Sequence, residues 1–107
     1  MLNNWTLRWG QFFLVKPYND YFSSDLSVRT RTFGWDCPDE ELVWHRDKCH
    51  RQVTVLEGEN WQLQFDNEKP IVMEKGRIYY IPKMMYHRVI KGDGDLVLKI
   101  WDEEQTN

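Results

Sequence analysis

The chain reads as one all-β domain, a small closed or nearly closed barrel of the jelly-roll type. Three observations predict this. Short apolar runs follow one another with turn chemistry between them, which is an all-β pattern. The runs are rich in β-branched and aromatic residues, which favour pleated, half-buried backbone. Six Trp, five Tyr and five Phe in 107 residues can fill a modest single core with few side chains.

The elements follow in order. Residues 11–16, QFFLVK, make a first strand that Pro17 ends. Residues 18–25 read equally as a short helical turn or a loop. The stretch 26–33, LSVRTRTF, alternates and is a strand, with turn residues GWDCPD after it. Strands are then expected at 41–46, 51–57, 60–66, 70–73, 77–81, 86–91 and 95–101. The connections fall at 56–60, 67–69, 82–85 and 91–95. The last of these, KGDGD, is a hairpin signal, because glycine accepts the positive φ such turns need. There is no repeat, low-complexity tract or linker, so residues 1–107 form a single domain.

Composition removes several classes of function. Seventeen acids against fourteen bases give a formal charge of −3, without the basic stripe of a nucleic-acid binder. No apolar run approaches the roughly twenty residues that cross a bilayer as a helix. The N-terminal stretch MLNNWTLRWGQFFLV lacks a basic n-region before a clean apolar segment, so no signal peptide is expected. Cys37 and Cys49 do not make a disulfide framework, and reduced thiols in the cytoplasm are the simpler expectation. The acidic end, from Asp102 to Glu104, reads as a solvated tail.

Parity singles out a site. Alternate residues of a strand face one side. Val43, His45 and Asp47 share a face, as do Arg51, Val53 and Val55. Trp61, Leu63 and Phe65 share another, and so do His87 and Val89. If the valines point inward, His45, Asp47, Arg51 and His87 point inward with them. Four polar side chains in an apolar interior are costly unless they pair or hold an ion.

Two segments carry a further pattern. From His45 to Gly58 the chain reads HRDKCHRQVTVLEG, and from Gly76 to His87 it reads GRIYYIPKMMYH. These resemble the two halves of the cupin signature, G-x5-H-x-H-x3-E-x6-G and G-x5-P-x-G-x2-H-x3-N. The register is unbroken from His45 to Gly58, from Gly76 to Pro82 and from Pro82 to His87. The chain is similar to a minimal single-domain member of the cupin (RmlC-like) superfamily, and more narrowly to small cupins found in bacteria and tailed phages. The motifs span residues 45–91. Asp39 stands where the first motif has its opening glycine, Asp47 where it has its second His, and Arg51 where it has Glu. Met84 stands for the glycine of the second motif, and Lys91 for its final Asn.

The resemblance implies a cupin β-barrel and a metal in it, held here by His45, Asp47 and His87, since the family's ligand positions carry these residues and Arg51. A guanidinium has no lone pair to donate. Two imidazoles and one carboxylate form the facial triad of non-haem Fe(II) oxygenases; Fe, Zn, Ni or Mn are the candidate ions. Arg51 would then hold the carboxylate of an acidic substrate or co-substrate. His45, Asp47, Arg51 and His87 are the candidate catalytic residues. The competing reading is a ligand-binding or structural barrel without metal, in which Asp47 and Arg51 form an ion pair. A third is a metal-independent sugar epimerase or isomerase, with His45 or His87 as base and Asp47 orienting it. Arg88 has the wrong parity for the cavity. His50 reads as a solvated turn histidine and Cys49 as a soft ligand at most. Trp61, Phe65, Tyr80 and Trp101 sit at core-like positions, and Trp44 and Tyr79 at outward ones. The partner is a small molecule rather than nucleic acid or membrane, and aromatics in Pro17–Phe22 would suit a homodimer.

Overall fold

The computed structural model describes residues 17–24, 27–38 and 42–103. Their regular structure is eight strands and no helix. These are β1 (Tyr18–Phe22), β2 (Val28–Phe33), β3 (Arg51–Glu59), β4 (Gln62–Phe65), β5 (Ile71–Val72), β6 (Ile78–Ile81), β7 (His87–Ile90) and β8 (Asp93–Asp102). The strand expected at 11–16 lies outside the described residues. All strand pairs are antiparallel, in two sheets ordered β1-β2-β8-β3-β6 and β5-β4-β7. Two sheets face to face, each with one apolar face, form a jelly-roll sandwich.

The core lies between them. The large sheet contributes Phe33, Val53, Val55, Ile81, Leu96, Leu98 and Ile100, and the small sheet Leu63, with Trp61 and Met73 just outside its strands. Val55, Trp61 and Leu96 are wholly buried. Strand alternation accounts for this set: Arg51, Val53 and Val55 face in while Gln52 and Leu56 face out.

Several expectations change. Of the strand expected at 41–46, residues 42–46 are described and are not a strand; only His45 is paired, through one isolated bridge to His87. Tyr18–Phe22, left open between helical turn and loop, is β1. Residues 56–59 do not form a turn. They extend β3, with register shifts at Val55/Glu57 and Glu57/Glu59 that let the strand bend. The stretch 91–95 is not a hairpin, because β7 and β8 belong to different sheets. Lys91 and Gly92 carry the chain from one sheet to the other.

That crossing explains Gly92. It passes the parallel crossing from β3 to β4 so closely that an added Cβ would lie 2.3 Å from Glu59 O and from Trp61 N. Trp61 closes the corner by donating Nε1–H to Gly94 O at 3.2 Å. Tyr80 and Trp101 are half-exposed on the outer face, at 50% and 40%, rather than in the core. Tyr79 is the inward aromatic: it packs on the core, and its hydroxyl donates to Val72 O and accepts from Glu74 N–H.

Candidate metal centre

The structure brings His45, Asp47, Arg51 and His87 together at the inner face. His45 and Asp47 come from the irregular arm 42–50, Arg51 from the start of β3 and His87 from the start of β7. The arm is attached through the His45–His87 bridge, in which each backbone N–H donates to the other residue's carbonyl at 2.9 and 3.0 Å. The two imidazoles then face each other across the cavity mouth, His87 buried and His45 with its side chain 43% exposed, with ring centroids 4.3 Å apart. Outside, Trp44 stacks on Tyr86 at 5.4 Å, with Arg88 over Trp44 and Arg46 over Tyr86. This aromatic and cationic clamp holds the arm against β7. Arg88 lies outside, as its parity requires, and donates Nε–H to Gln64 Oε1 at 2.8 Å.

The turn before β7 completes the site. Met84 adopts a φ of 64°, the left-handed region where glycine is favoured. In that conformation Met84 N–H donates to Asp47 O at 2.7 Å. Met85 supplies the carbonyl that accepts from His87 Nδ1–H at 2.7 Å, and Val43 O accepts from His45 Nδ1–H at 3.0 Å. A carbonyl can only accept, so Nδ1 carries the proton on both rings. Each ring then turns Nε2 toward the Asp47 carboxylate, as a proton donor to it when the ring is charged and as a lone pair for a metal when it is not. The ligand-capable atoms of His45, Asp47 and His87 all lie within 4.8 Å of one another.

Asp47 is the most informative member. Its Oδ2 is buried and makes no hydrogen bond, although His87 Nε2 at 3.3 Å and Arg51 Nη1 at 3.2 Å stand close. Burial alone would raise its carboxyl; the neighbouring His87 ring and the Arg51 charge outweigh this and hold it below the usual carboxylate range. Burial works the other way on His45, and with the nearby charges of His87 and Arg51 holds its imidazole below the usual histidine range. An anionic carboxylate, a neutral imidazole and an unbonded buried oxygen form a donor set that fits a divalent ion. Both histidines also have the backbone-carbonyl partner on the far nitrogen that metal-ligating imidazoles use for orientation.

Arg51 is spoken for on both sides. Its Nε and Nη2 fork onto Asp102 at 2.7 and 3.4 Å while Nη1 faces Asp47. Asp102 also accepts from Arg29 Nη1 at 2.6 Å, so it is not a solvated tail residue. Burial would raise the Asp102 carboxyl, but hydrogen bonds from Arg51 and Arg29 hold it below its usual range. Arg29 Nε lies 3.6 Å from Asp20, which accepts from Arg31 Nε and Nη2 at 2.8 and 3.0 Å. The result is a line of alternating charge, Asp47–Arg51–Asp102–Arg29–Asp20–Arg31, along the inner face of β3, β8, β2 and β1. Sequence reasoning missed its far end. The signal was present: Arg29 and Arg31 share parity with buried Phe33, and Asp102 with Leu98 and Ile100.

The site opens on a cavity of about 260 Å³. Its polar lining is Arg31, His45, Asp47, Arg51 and His87; Phe33, Val53, Leu63, Ile81 and Ile100 are among the apolar walls. His50 lies apart, stacked on Tyr80 with Nδ1 accepting from Lys83 N–H, and is outside the ligand group. Cys49 is also outside it, and burial and Asp102 raise its thiol above the usual range, so it is not an activated nucleophile.

No protein-family model matches the sequence, and no curated protein matches it either. Solved structures do match. The cupin-like protein tm1010 from Thermotoga maritima aligns with a TM-score of 0.58 at 17% identity, over 78% of this chain and 65% of that one. Protein NMB1881 from Neisseria meningitidis aligns with a TM-score of 0.59 at 13% identity, over 85% of this chain and 89% of that one. HppE in its Co(II) form aligns with a TM-score of 0.61 at 17% identity, over 88% of this chain. The chain has the cupin fold. It spans 57% of the HppE chain it resembles, so it corresponds to little more than half of that protein.

Proposed function

We propose that this cupin domain binds one divalent metal ion through His45 Nε2, His87 Nε2 and the Asp47 carboxylate, at the polar end of a cavity that takes a small acidic molecule. The observation that carries the reading is the pair of Nε2 lone pairs, left free by two Nδ1–carbonyl bonds and aimed beside a buried, unbonded carboxylate oxygen. A ferrous ion held by two imidazoles and one carboxylate supplies dioxygen-activating chemistry, and the proposed activity is of the non-haem iron oxygenase kind. HppE, which shares the fold, has been crystallised as its Fe(II) form, which is consistent with this choice of ion.

Each protein group has a defined task. Val43 O and Met85 O keep the His45 and His87 rings turned so that Nε2 faces the cavity. Arg51, anchored on Asp102 by its other donors, supplies Asp47 with a counter-charge that a bound metal would take over.

One contact favours a second reading. Arg51 Nη1 at 3.2 Å already gives Asp47 a counter-charge, which is what a metal-free ligand-binding barrel would need. Metal analysis by plasma mass spectrometry, on protein purified anaerobically without chelators, separates the two. Near-stoichiometric metal that is lost in His45→Ala, Asp47→Ala and His87→Ala but kept in His50→Ala supports the centre. Protein that stays metal-free after incubation with Fe(II) or Zn(II) refutes it.

A further inference from the structure

Among the described residues, the line of charge on the inner face joins three arginines (Arg29, Arg31, Arg51) and three aspartates (Asp20, Asp47, Asp102). These three positive and three negative side chains cancel one another. A divalent ion at the triad would leave two positive charges unmatched beside walls that are mostly hydrocarbon. Such an excess is costly unless an anion enters with it. The cavity itself therefore calls for an anionic ligand.

The cavity wall also holds a group that would grip it. Arg29 is not among the residues that line the cavity. Arg51 lines it, but its donors face Asp47 and Asp102. Arg31 lines it too, with its side chain only 11% exposed. Its Nε and Nη2 engage the two Asp20 oxygens side-on, and Tyr18 stacks against it with the ring centroid 3.5 Å from the guanidinium carbon. These contacts fix the plane of the group. Among the described residues its Nη1 makes no hydrogen bond. A guanidinium has five N–H donors in a rigid fork, so the Nη1–Nη2 edge still offers two parallel N–H groups, the spacing that two carboxylate oxygens match.

We propose that Arg31 is the specificity-determining residue of the cavity, and that the ligand is a small apolar monocarboxylate whose carboxylate docks on the Nη1–Nη2 edge of Arg31. The volume, below the roughly 300 Å³ at which ordinary ligand pockets begin, admits a compact metabolite and not a sugar chain or peptide. The charge argument rests on the proposed metal centre, whereas the geometry of Arg31 does not, and the two can fail separately. Arg31 lies in a stretch, VRTRTF, that sequence reasoning read only as a strand.

Calorimetric titration of hexanoate, butanoate and benzoate into the full chain, with and without Zn(II) as a redox-inert ion, tests this. Hexanamide serves as the uncharged control. At least one carboxylate is expected to bind ten-fold or more tightly than the amide, and Zn(II) to strengthen it further. Arg31→Lys, which keeps the charge and loses the fork, is expected to abolish that preference while binding Zn(II) with unchanged stoichiometry; Arg31→Met with Asp20→Asn, which removes both charges together, does the same if the lysine variant misfolds. Carboxylate binding that depends on Arg31 but not on Zn(II), in protein that takes up no Zn(II), upholds the role of Arg31 and rejects the metal centre. Equal binding of acid and amide, equal binding by wild type and variants, or no binding of any carboxylate overturns the proposal.

Discussion

Replacing Arg51 with Met should lower the stability of the metal-free protein and raise its affinity for metal. The Arg51 side chain is 12% exposed; its guanidinium stands 3.2 Å from Asp47 Oδ2 and forks onto Asp102. Removing one partner of such a buried pair costs about 3–5 kcal/mol. Asp102 keeps Arg29 at 2.6 Å, so the lower end, about 3 kcal/mol, applies. The same change removes a cation from beside the ligand carboxylate. A ten-fold gain in Zn(II) affinity is the expected scale, which is about 1.4 kcal/mol. At free Zn(II) a hundred-fold above the wild-type dissociation constant, binding stabilises wild type by about 2.7 kcal/mol and the variant by about 4.1 kcal/mol. The stability gap should thus narrow to roughly half on adding metal. Urea denaturation at pH 7 with and without Zn(II) measures both numbers. A variant as stable as wild type, or a gap that zinc leaves unchanged, would refute the idea that Arg51 and a metal compete for Asp47.

Other expectations follow from local geometry. Gly92→Ala should cost roughly 3 kcal/mol by thermal denaturation, because the methyl meets backbone atoms of the neighbouring crossing that cannot yield. Met84→Gly should stabilise by up to about 1 kcal/mol, since a left-handed residue with a Cβ costs about 1–2 kcal/mol and glycine's extra unfolded-state freedom offsets part of the gain. Asp102→Asn should lose its stability deficit in acid. The folded carboxyl titrates below its ordinary value of 3.8, so the unfolded chain takes up the proton first as pH falls. The stabilisation is full above that value and disappears below it, so wild-type and variant melting curves should converge from about pH 4 downward.

Much of the fold was legible because its signals are local. Alternation in RQVTVLE and in NWQLQFD specifies an inner face for Val53, Val55, Trp61 and Leu63, and the structure buries all four. The same parity turned Arg51 and His87 inward along β3 and β7, whereas His45 and Asp47, in the irregular arm, reach them through the His45–His87 bridge. What failed was non-local. Nothing within KGDGD distinguishes a hairpin from a change of sheet; the difference lies in which strands later pair with β7 and β8. Trp101 and Tyr80 look like core residues by type, but their parity sets them outward opposite Gln52. The charges of Arg29, Arg31 and Asp102 belong to segments far apart in sequence, and only the β2–β8–β3 pairing aligns them. Arg51, taken alone, looked available to a ligand; Asp102, fifty-one residues later, occupies it.

The alternating line of charge also bears on how the large sheet finds its register. One stretch of its inner face is hydrocarbon, and hydrocarbon tolerates a neighbour that is merely similar. The other stretch pairs Arg29 with Asp102 and Asp20, and Arg31 with Asp20. A slip of β2 by one residue would turn both arginines to the outside and bring Thr30 and Thr32 in. Asp20 would then lose both Arg29 and Arg31, and Asp102 would keep Arg51 alone. Such a mispaired sheet keeps much of its greasy contact area yet strands buried carboxylates, a penalty of several kcal/mol. The charged end of the cavity wall therefore acts as a proofreading strip for the order and offset of β1, β2, β8 and β3, independently of any ligand the cavity holds.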